Sequence, residues 1–326
     1  MKKIKIISCY FGSLPKHFEL WCESCYKNKN YDFMLVTDQK VFSEKNLEIK
    51  KMSFNEFKTL INKKLKPIIG FNISMDGPYK VCDYRPAFGI IFEDELNGYD
   101  FWGYCDLDMI FGDFNKFLSQ DLFERFERIG MNGHLSFCKN NKKINNLFKL
   151  SGAEYSYKKV FKDSYSYIFD EMRGLNKICE KNEIKFYKNL KFLDCSTKTS
   201  RLALNKNLYT PEVFIYKNGG VYNFYLDGDE IKSEEFLYIH FSGKNIPLKG
   251  DLNTKKTLII YSDKIINVNK ELNNKEIIKE YSEFANKYTE TLLLVKGILK
   301  KIEKIFLKGK AKQLVILYLK PLWYKY

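Results

Sequence analysis

The chain has 326 residues, of which 45% are hydrophobic and 16% aromatic, and a formal net charge of +15. That length and apolar content allow one large core with a smaller appendage and exclude a mostly disordered chain. No run of about 18 apolar residues occurs, which excludes a membrane-spanning helix. Residues 285–326 carry ten lysines against Glu290 and Glu303, so +8 of the charge sits in the tail and +7 is spread over the preceding 284 residues. A charge excess concentrated in this way argues against a nucleic-acid surface on the body of the protein.

The opening MKKIKIISCYFGSLP holds an apolar run of strand length that stops at Gly12 and Pro15, too short for a secretory signal. KIKIIS (3–8) and YDFMLVTD (31–38) read as strands and residues 17–27 as the helix between them, an order that implies a right-handed crossover and a parallel sheet. Residues 55–66 have helical spacing and are expected to end at Pro67. In DYRPAFGIIFEDELNG (83–98), Pro86 suits the first turn of a helix stopped by Asn97-Gly98. YDFWGYCDLD then reads as a strand with bulky residues on both faces. Its alternation turns Asp106 and Asp108 to the same side, at a strand's C-terminal end, where open α/β sheets bind ligands.

Residues 118–206 mix helical and extended pieces, with a turn and strand at MNGHLSFCKN (131–140) and a helix at 166–182. After Pro211, Asn218-Gly219-Gly220 and Asp227-Gly228-Asp229 mark two hairpins. FLYIHF (236–241) reads as a strand closed by Ser242-Gly243-Lys244. The eight cysteines lie mostly in apolar runs, as in a reduced, cytoplasmic protein, and the C-x-x-C of Cys22 and Cys25 lacks the second pair a zinc site needs.

Two carboxylates on one side of a strand end suggest a divalent cation, and an added imidazole tilts the choice toward manganese over magnesium. Of the three histidines, His240 is the candidate third ligand. The glycine and lysine after it would let backbone N–H groups and an ammonium approach a diphosphate.

With YFG ending the first strand, YRPAFG, DLD and HFSGK, the chain resembles the GT-A glycosyltransferases, and is similar to glycosyltransferase family 8 and to bacterial enzymes of surface-polysaccharide assembly. The resemblance covers roughly residues 1–250. It implies a Rossmann-like, mostly parallel sheet flanked by helices, with a catalytic domain over 1–255; the residues after it read as a basic, amphipathic helical extension over 256–326. It also implies Mn2+ or Mg2+ held by Asp106, Asp108 and His240. The donor would be a UDP-sugar meeting Tyr10, Phe11, Arg85, Asp106, Gly243 and Lys244, and anomeric configuration would be retained. The acceptor would be a glycan or lipid-linked oligosaccharide of capsule, O-antigen or lipooligosaccharide synthesis. The family's segments after D-x-D and near the reacting centre are replaced here by MNGHLSF and FDEMRG, which makes Asn132, His134, Asp170 and Glu171 candidates for donor or acceptor contacts, the last two also for catalysis.

Each residue has a plainer reading. His240 would be a core histidine, Arg85 a surface partner of Asp83, Tyr10 a packed ring, and Asp170 and Glu171 a solvated helix face; Lys80 is a weaker phosphate candidate. The tail's apolar residues recur at helical spacing among lysines and run into Trp323, Tyr324 and Tyr326, which suits the inner face of the cytoplasmic membrane or a helix packed on the domain. Two other functions fit parts of the pattern: a haloacid-dehalogenase-like phosphatase with Asp106 as nucleophile, and a non-catalytic binder of membranes or acidic polymers.

Overall fold

A computed structural model describes residues 2–195, 211–250, 252, 257–268 and 273–282. The chain opens with β1 (Ile4–Tyr10), helix α1 (Phe18–Lys27), β2 (Asp32–Thr37), β3 (Leu47–Lys51) and helix α2 (Phe54–Ile69). It continues through β4 (Phe101–Cys105), β5 (Met109–Phe111), β6 (Arg128–Asn132), β7 (Leu135–Lys139), β8 (Phe186–Tyr187) and β9 (Phe192–Asp194). The central sheet has the order β3-β2-β1-β4-β7-β6-β8. β3, β2, β1 and β4 run parallel, β7 is antiparallel to β4 and to β6, and β8 is parallel to β6. The architecture is α/β, a mostly parallel sheet flanked by helices.

Alternation along these strands feeds two cores. Ile7, Met34, Val36, Trp102 and Tyr104 pack with Phe57, Ile61 and Leu65 of α2. Their neighbours Ile6, Phe33, Leu35 and Phe101 pack on the opposite face with Trp21 and Cys25 of α1. The eight cysteines are all free thiols, and Cys22 and Cys25 are buried within α1.

Several local expectations are revised. α2 runs past Pro67 to Ile69, capped at its start by the Ser53–Glu56 capping box and ended by Gly70 at φ +81°. Proline forfeits one N–H there, but burial of Ile69 holds the last turn. Residues 78–87 form 3-10 turns, followed by only one α-helical turn at Phe88–Ile91, in place of a helix running from about Pro86 to Asn97-Gly98. The helix expected over 166–182 begins only at Leu175 and ends at Lys181. Asp106 and Asp108 lie in the bend between β4 and β5, not within a strand.

Both hairpins are present: β10 (Glu212–Lys217), β11 (Gly220–Asp227) and β12 (Glu230–Phe236) pair in succession. Asn218 and Gly219 both take positive φ, as a two-residue hairpin turn requires. The single strand expected over 236–241 is divided at Leu237. β12 ends there in one sheet, and β13 (Tyr238–His240) enters a three-stranded sheet of order β5-β13-β9.

β14 (Leu248–Lys249), β15 (Thr257–Ile260) and β16 (Ile265–Val268) complete a six-stranded sheet with the hairpins, and a helix covers Asn274–Tyr281. The helical extension expected from residue 256 therefore starts with two strands, rich in β-branched residues (TLII and IINV), of which β15 pairs with β10 and β16 with β15. The basic segment 285–326 lies outside the described residues. Among the described residues no helix is long and apolar enough to cross a membrane.

Candidate active site

Strand register assembles the site. In the small sheet His240 of β13 stands opposite Met109 of β5 on one side and Asp194 of β9 on the other. Met109 follows Asp108 directly, so the pairing sets the late histidine beside the D-x-D bend. One ligand atom each from Asp106, Asp108 and His240 can be chosen so that all lie within 4.8 Å of one another. His240 Nε2 is 3.5 Å from Asp108 Oδ2 and 4.0 Å from Asp106 Oδ2. Among the described residues this is the one cluster of His, Cys, Asp and Glu whose donor atoms converge in this way.

The trio is held from behind. Asp194 Oδ1 lies 3.0 Å from His240 Nδ1 and accepts from Ser242 Oγ at 2.7 Å, which leaves Nε2 turned to the carboxylates. Arg85 is buried; its Nη2 pairs with Asp106 Oδ1, and its Nη1 donates to Asp170 Oδ2 at 3.1 Å and to the Gly133 carbonyl at 2.8 Å. The His134 ring stacks on that of His240, centroids 4.1 Å apart. Burial alone lowers the His240 pKa, but the Asp194 contact and the charges of Asp108 and Asp106 outweigh it and raise it. Burial, and then repulsion from Asp106, raise the Asp108 carboxyl. Burial and the neighbouring His240 push His134 down to about 3.

Two facing carboxylates with one imidazole form a donor set that suits Mn2+ or Mg2+, and a cation there relieves the repulsion between them. The trio opens on a cavity of about 610 Å³, lined also by Tyr10, Phe11, Arg85, His134, Asp170, Glu171, Gly243 and Lys244.

The structure corrects four roles. Arg85 neither faces solvent beside Asp83 nor presents a free guanidinium to phosphate; its charge is taken by Asp106 and Asp170. Asp83 is instead paired with buried Lys80 at 2.8 Å, away from the cavity lining, so Lys80 has a structural partner. Gly243, at φ +78°, gives its N–H to Asp108 Oδ2, so this N–H orders a carboxylate of the D-x-D pair rather than a diphosphate. Asp170 and Glu171 are no solvated helix face: they sit in the turn before the helix, with Asp170 only 2% exposed. Glu171 Oε1 accepts from Gly133 N–H at 2.5 Å. A Cβ at Gly133 would stand 2.6 Å from Asp170 Oδ2 and 2.7 Å from Glu171 Oε1, so a side chain there would have to push both carboxyl groups aside. Burial drives Asp170 up to about 7 despite Arg85.

Of the remaining candidates, Phe11 lines the cavity while packing on Phe54 and Phe57. Tyr10 donates to the Ser13 carbonyl. Asn132, at the end of β6, is outside the cavity lining. Lys244 Nζ contacts Cys195 Sγ at 3.0 Å. Asp194 was legible only as an apolar strand ending in aspartate, FLD, a weaker form of the signal that marks Asp106.

The model of a family of unknown function, DUF6625, matches residues 6–269. No curated protein matches the chain in sequence. Among solved structures, apo glycosyltransferase GlyE of Streptococcus pneumoniae TIGR4 is similar at 12% identity and TM-score 0.32, over 57% of this chain and 45% of that one. This chain thus spans less than half the GlyE chain. The galactosyltransferase LgtC, solved with donor and acceptor sugar analogues, is similar at 9% identity and TM-score 0.33, over 58% of this chain and 75% of that one. A glycosyltransferase involved in glycosylation of the major capsid of PBCV-1 is similar at 10% identity and TM-score 0.34, over 74% of this chain and 94% of that one.

Proposed function

The chain belongs to the DUF6625 family, and we propose that it is a metal-dependent glycosyltransferase taking its sugar from a nucleotide sugar, in first place a UDP-sugar. The observation that carries this reading is the convergence of Asp106, Asp108 and His240 on one wall of a cavity large enough for a nucleotide. Those three residues would hold Mn2+ or Mg2+, and the bound ion would neutralise the charge that grows on the departing diphosphate.

The chain's own residues do the rest. Arg85 and Gly243 each hold one aspartate in place, and Asp194 holds the ring of His240. Ligands ordered in advance need no rearrangement when the donor arrives. Lys244 lines the same cavity and would add positive charge at the diphosphate, while Tyr10 and Phe11 line it at the end of β1, where a nucleoside would lie. Asp106 suits this role better than that of a phosphatase nucleophile, since Arg85 holds one of its oxygens and the other turns to His240.

The acceptor would be a glycan or lipid-linked oligosaccharide of a bacterial surface polysaccharide, with configuration retained. The basic segment 285–326 would bring the enzyme to the inner face of the cytoplasmic membrane. Deleting it should abolish binding to anionic vesicles and leave sugar transfer in solution intact.

A thermal-shift panel of nucleotide sugars with and without Mn2+ tests the main reading. A donor at a hundred times its Kd stabilises by about 2.7 kcal/mol. We expect that gain from a UDP-sugar only with metal, and its loss in Asp108→Ala. Equal shifts without metal, or none with any nucleotide sugar, would reject the proposal. NMR of the first-formed product reads retention or inversion directly.

A further inference from the structure

The cavity has a second wall that the metal site does not use. Ile168 sits at φ +56°, a left-handed conformation that costs a β-branched residue about 1–3 kcal/mol unless its surroundings impose it. Here they do. Asp83 Oδ2 accepts from Tyr167 N–H and Asp83 Oδ1 from Phe169 N–H, each at 2.9 Å, so one carboxylate grips the amides on either side of Ile168. Lys80 neutralises that carboxylate and donates to the carbonyls of Val160 and Tyr165 at 2.7 and 2.5 Å. A buried ion pair thus fixes a strained residue at the cavity wall, where Ile168 is still 37% exposed. Tyr79 lines the same cavity and is 73% exposed.

Charge decides what such a wall can receive. Glu171 lies with Tyr79 and Ile168 in the lining, next to buried Asp170, and a diphosphate set against the Glu171 carboxylate would be repelled. An uncharged group rich in hydroxyls suits them, since carboxylates accept from hydroxyls while an aromatic face and a branched alkyl group pack against C–H bonds. A pyranose ring has both kinds of surface. Resting on the transferase reading above, we propose that Tyr79 and Ile168 form the subsite for the acceptor's terminal pyranose, with Glu171 facing its hydroxyls.

Saturation-transfer NMR on the full chain with Mn2+, UDP and a panel of methyl hexopyranosides tests this. In the wild type, UDP and at least one glycoside should receive saturation. Tyr79→Ala should cut the glycoside signal about threefold to tenfold, the scale of one aromatic contact, and Tyr79→Phe should preserve it. Ile168→Gly removes the wall and relieves the strain, so the glycoside signal should fall while the melting temperature holds or rises. UDP signals should be equal in all four proteins. Glycoside signals that are absent from the wild type, or unchanged in both Tyr79→Ala and Ile168→Gly, overturn the subsite while UDP binding upholds the transferase. A UDP signal lost in Tyr79→Ala assigns the wall to the nucleotide and also overturns it. Failure of UDP to bind the wild type rejects the transferase reading, and the subsite with it.

Discussion

Replacing Asp170 with asparagine should stabilise the protein above neutral pH, although it removes one member of a buried ion pair. Asp170 shares Arg85 with Asp106, so one guanidinium faces two carboxylates. Burial raises Asp170 from 3.8 to about 7, and the residual pull of Arg85 does not cancel that cost. A carboxyl whose folded pKa lies above its unfolded one keeps its proton in the native state after the unfolded chain has lost it. Between about pH 4 and 7 the folded form therefore binds more protons, and stability falls as pH rises. Three pH units at about 1.4 kcal/mol each give about 4 kcal/mol.

The side-chain amide introduced by Asp170→Asn resembles the protonated carboxyl, so the two proteins should match near pH 4 and diverge to about 4 kcal/mol near pH 8, with the variant more stable. A wild-type curve alone would not reveal this. Burial lowers His17 to about 4 and His134 to about 3, and both make stability rise with pH in part of the same window. The difference between two urea-unfolding series, one for each protein, cancels the histidines. If the charged Arg85–Asp170 pair is instead a net stabiliser, Asp170→Asn will be less stable at pH 8, and the reasoning fails.

Asp194→Ala should weaken Mn2+ binding about 10- to 100-fold with the melting temperature little changed, because the carboxylate orients His240 without belonging to the trio; titration of free Mn2+ by electron paramagnetic resonance reads this, and an unchanged affinity would remove the role. Lys80→Met should cost about 3–5 kcal/mol in urea unfolding, since it strands Asp83 without its counter-ion, and adding Asp83→Asn should recover part of the loss. Gly133→Ala should cost about 1–3 kcal/mol by driving a methyl group into the carboxylates of Asp170 and Glu171; a neutral result would mean that this turn relaxes freely.

Much of the architecture was written locally. Two-residue alternation in β1, β2 and β4, the helical spacing of α2 and the hairpin at Asn218-Gly219 are properties of short segments, and each was in place or nearly so. The D-x-D pair and His240 were legible as chemistry in search of a partner. Their meeting depended on the register of β13 against β5, a pairing across more than a hundred residues, and against β9, neither of which any local period encodes. Arg85 was legible as a cation near the site, but its choice of Asp106 and Asp170 over Asp83 followed from desolvation, which is set by everything packed around a charge. Composition and spacing determine which groups the chain can offer; only the folded packing decides which of them face one another away from water, because burial and strand register are collective properties of distant segments.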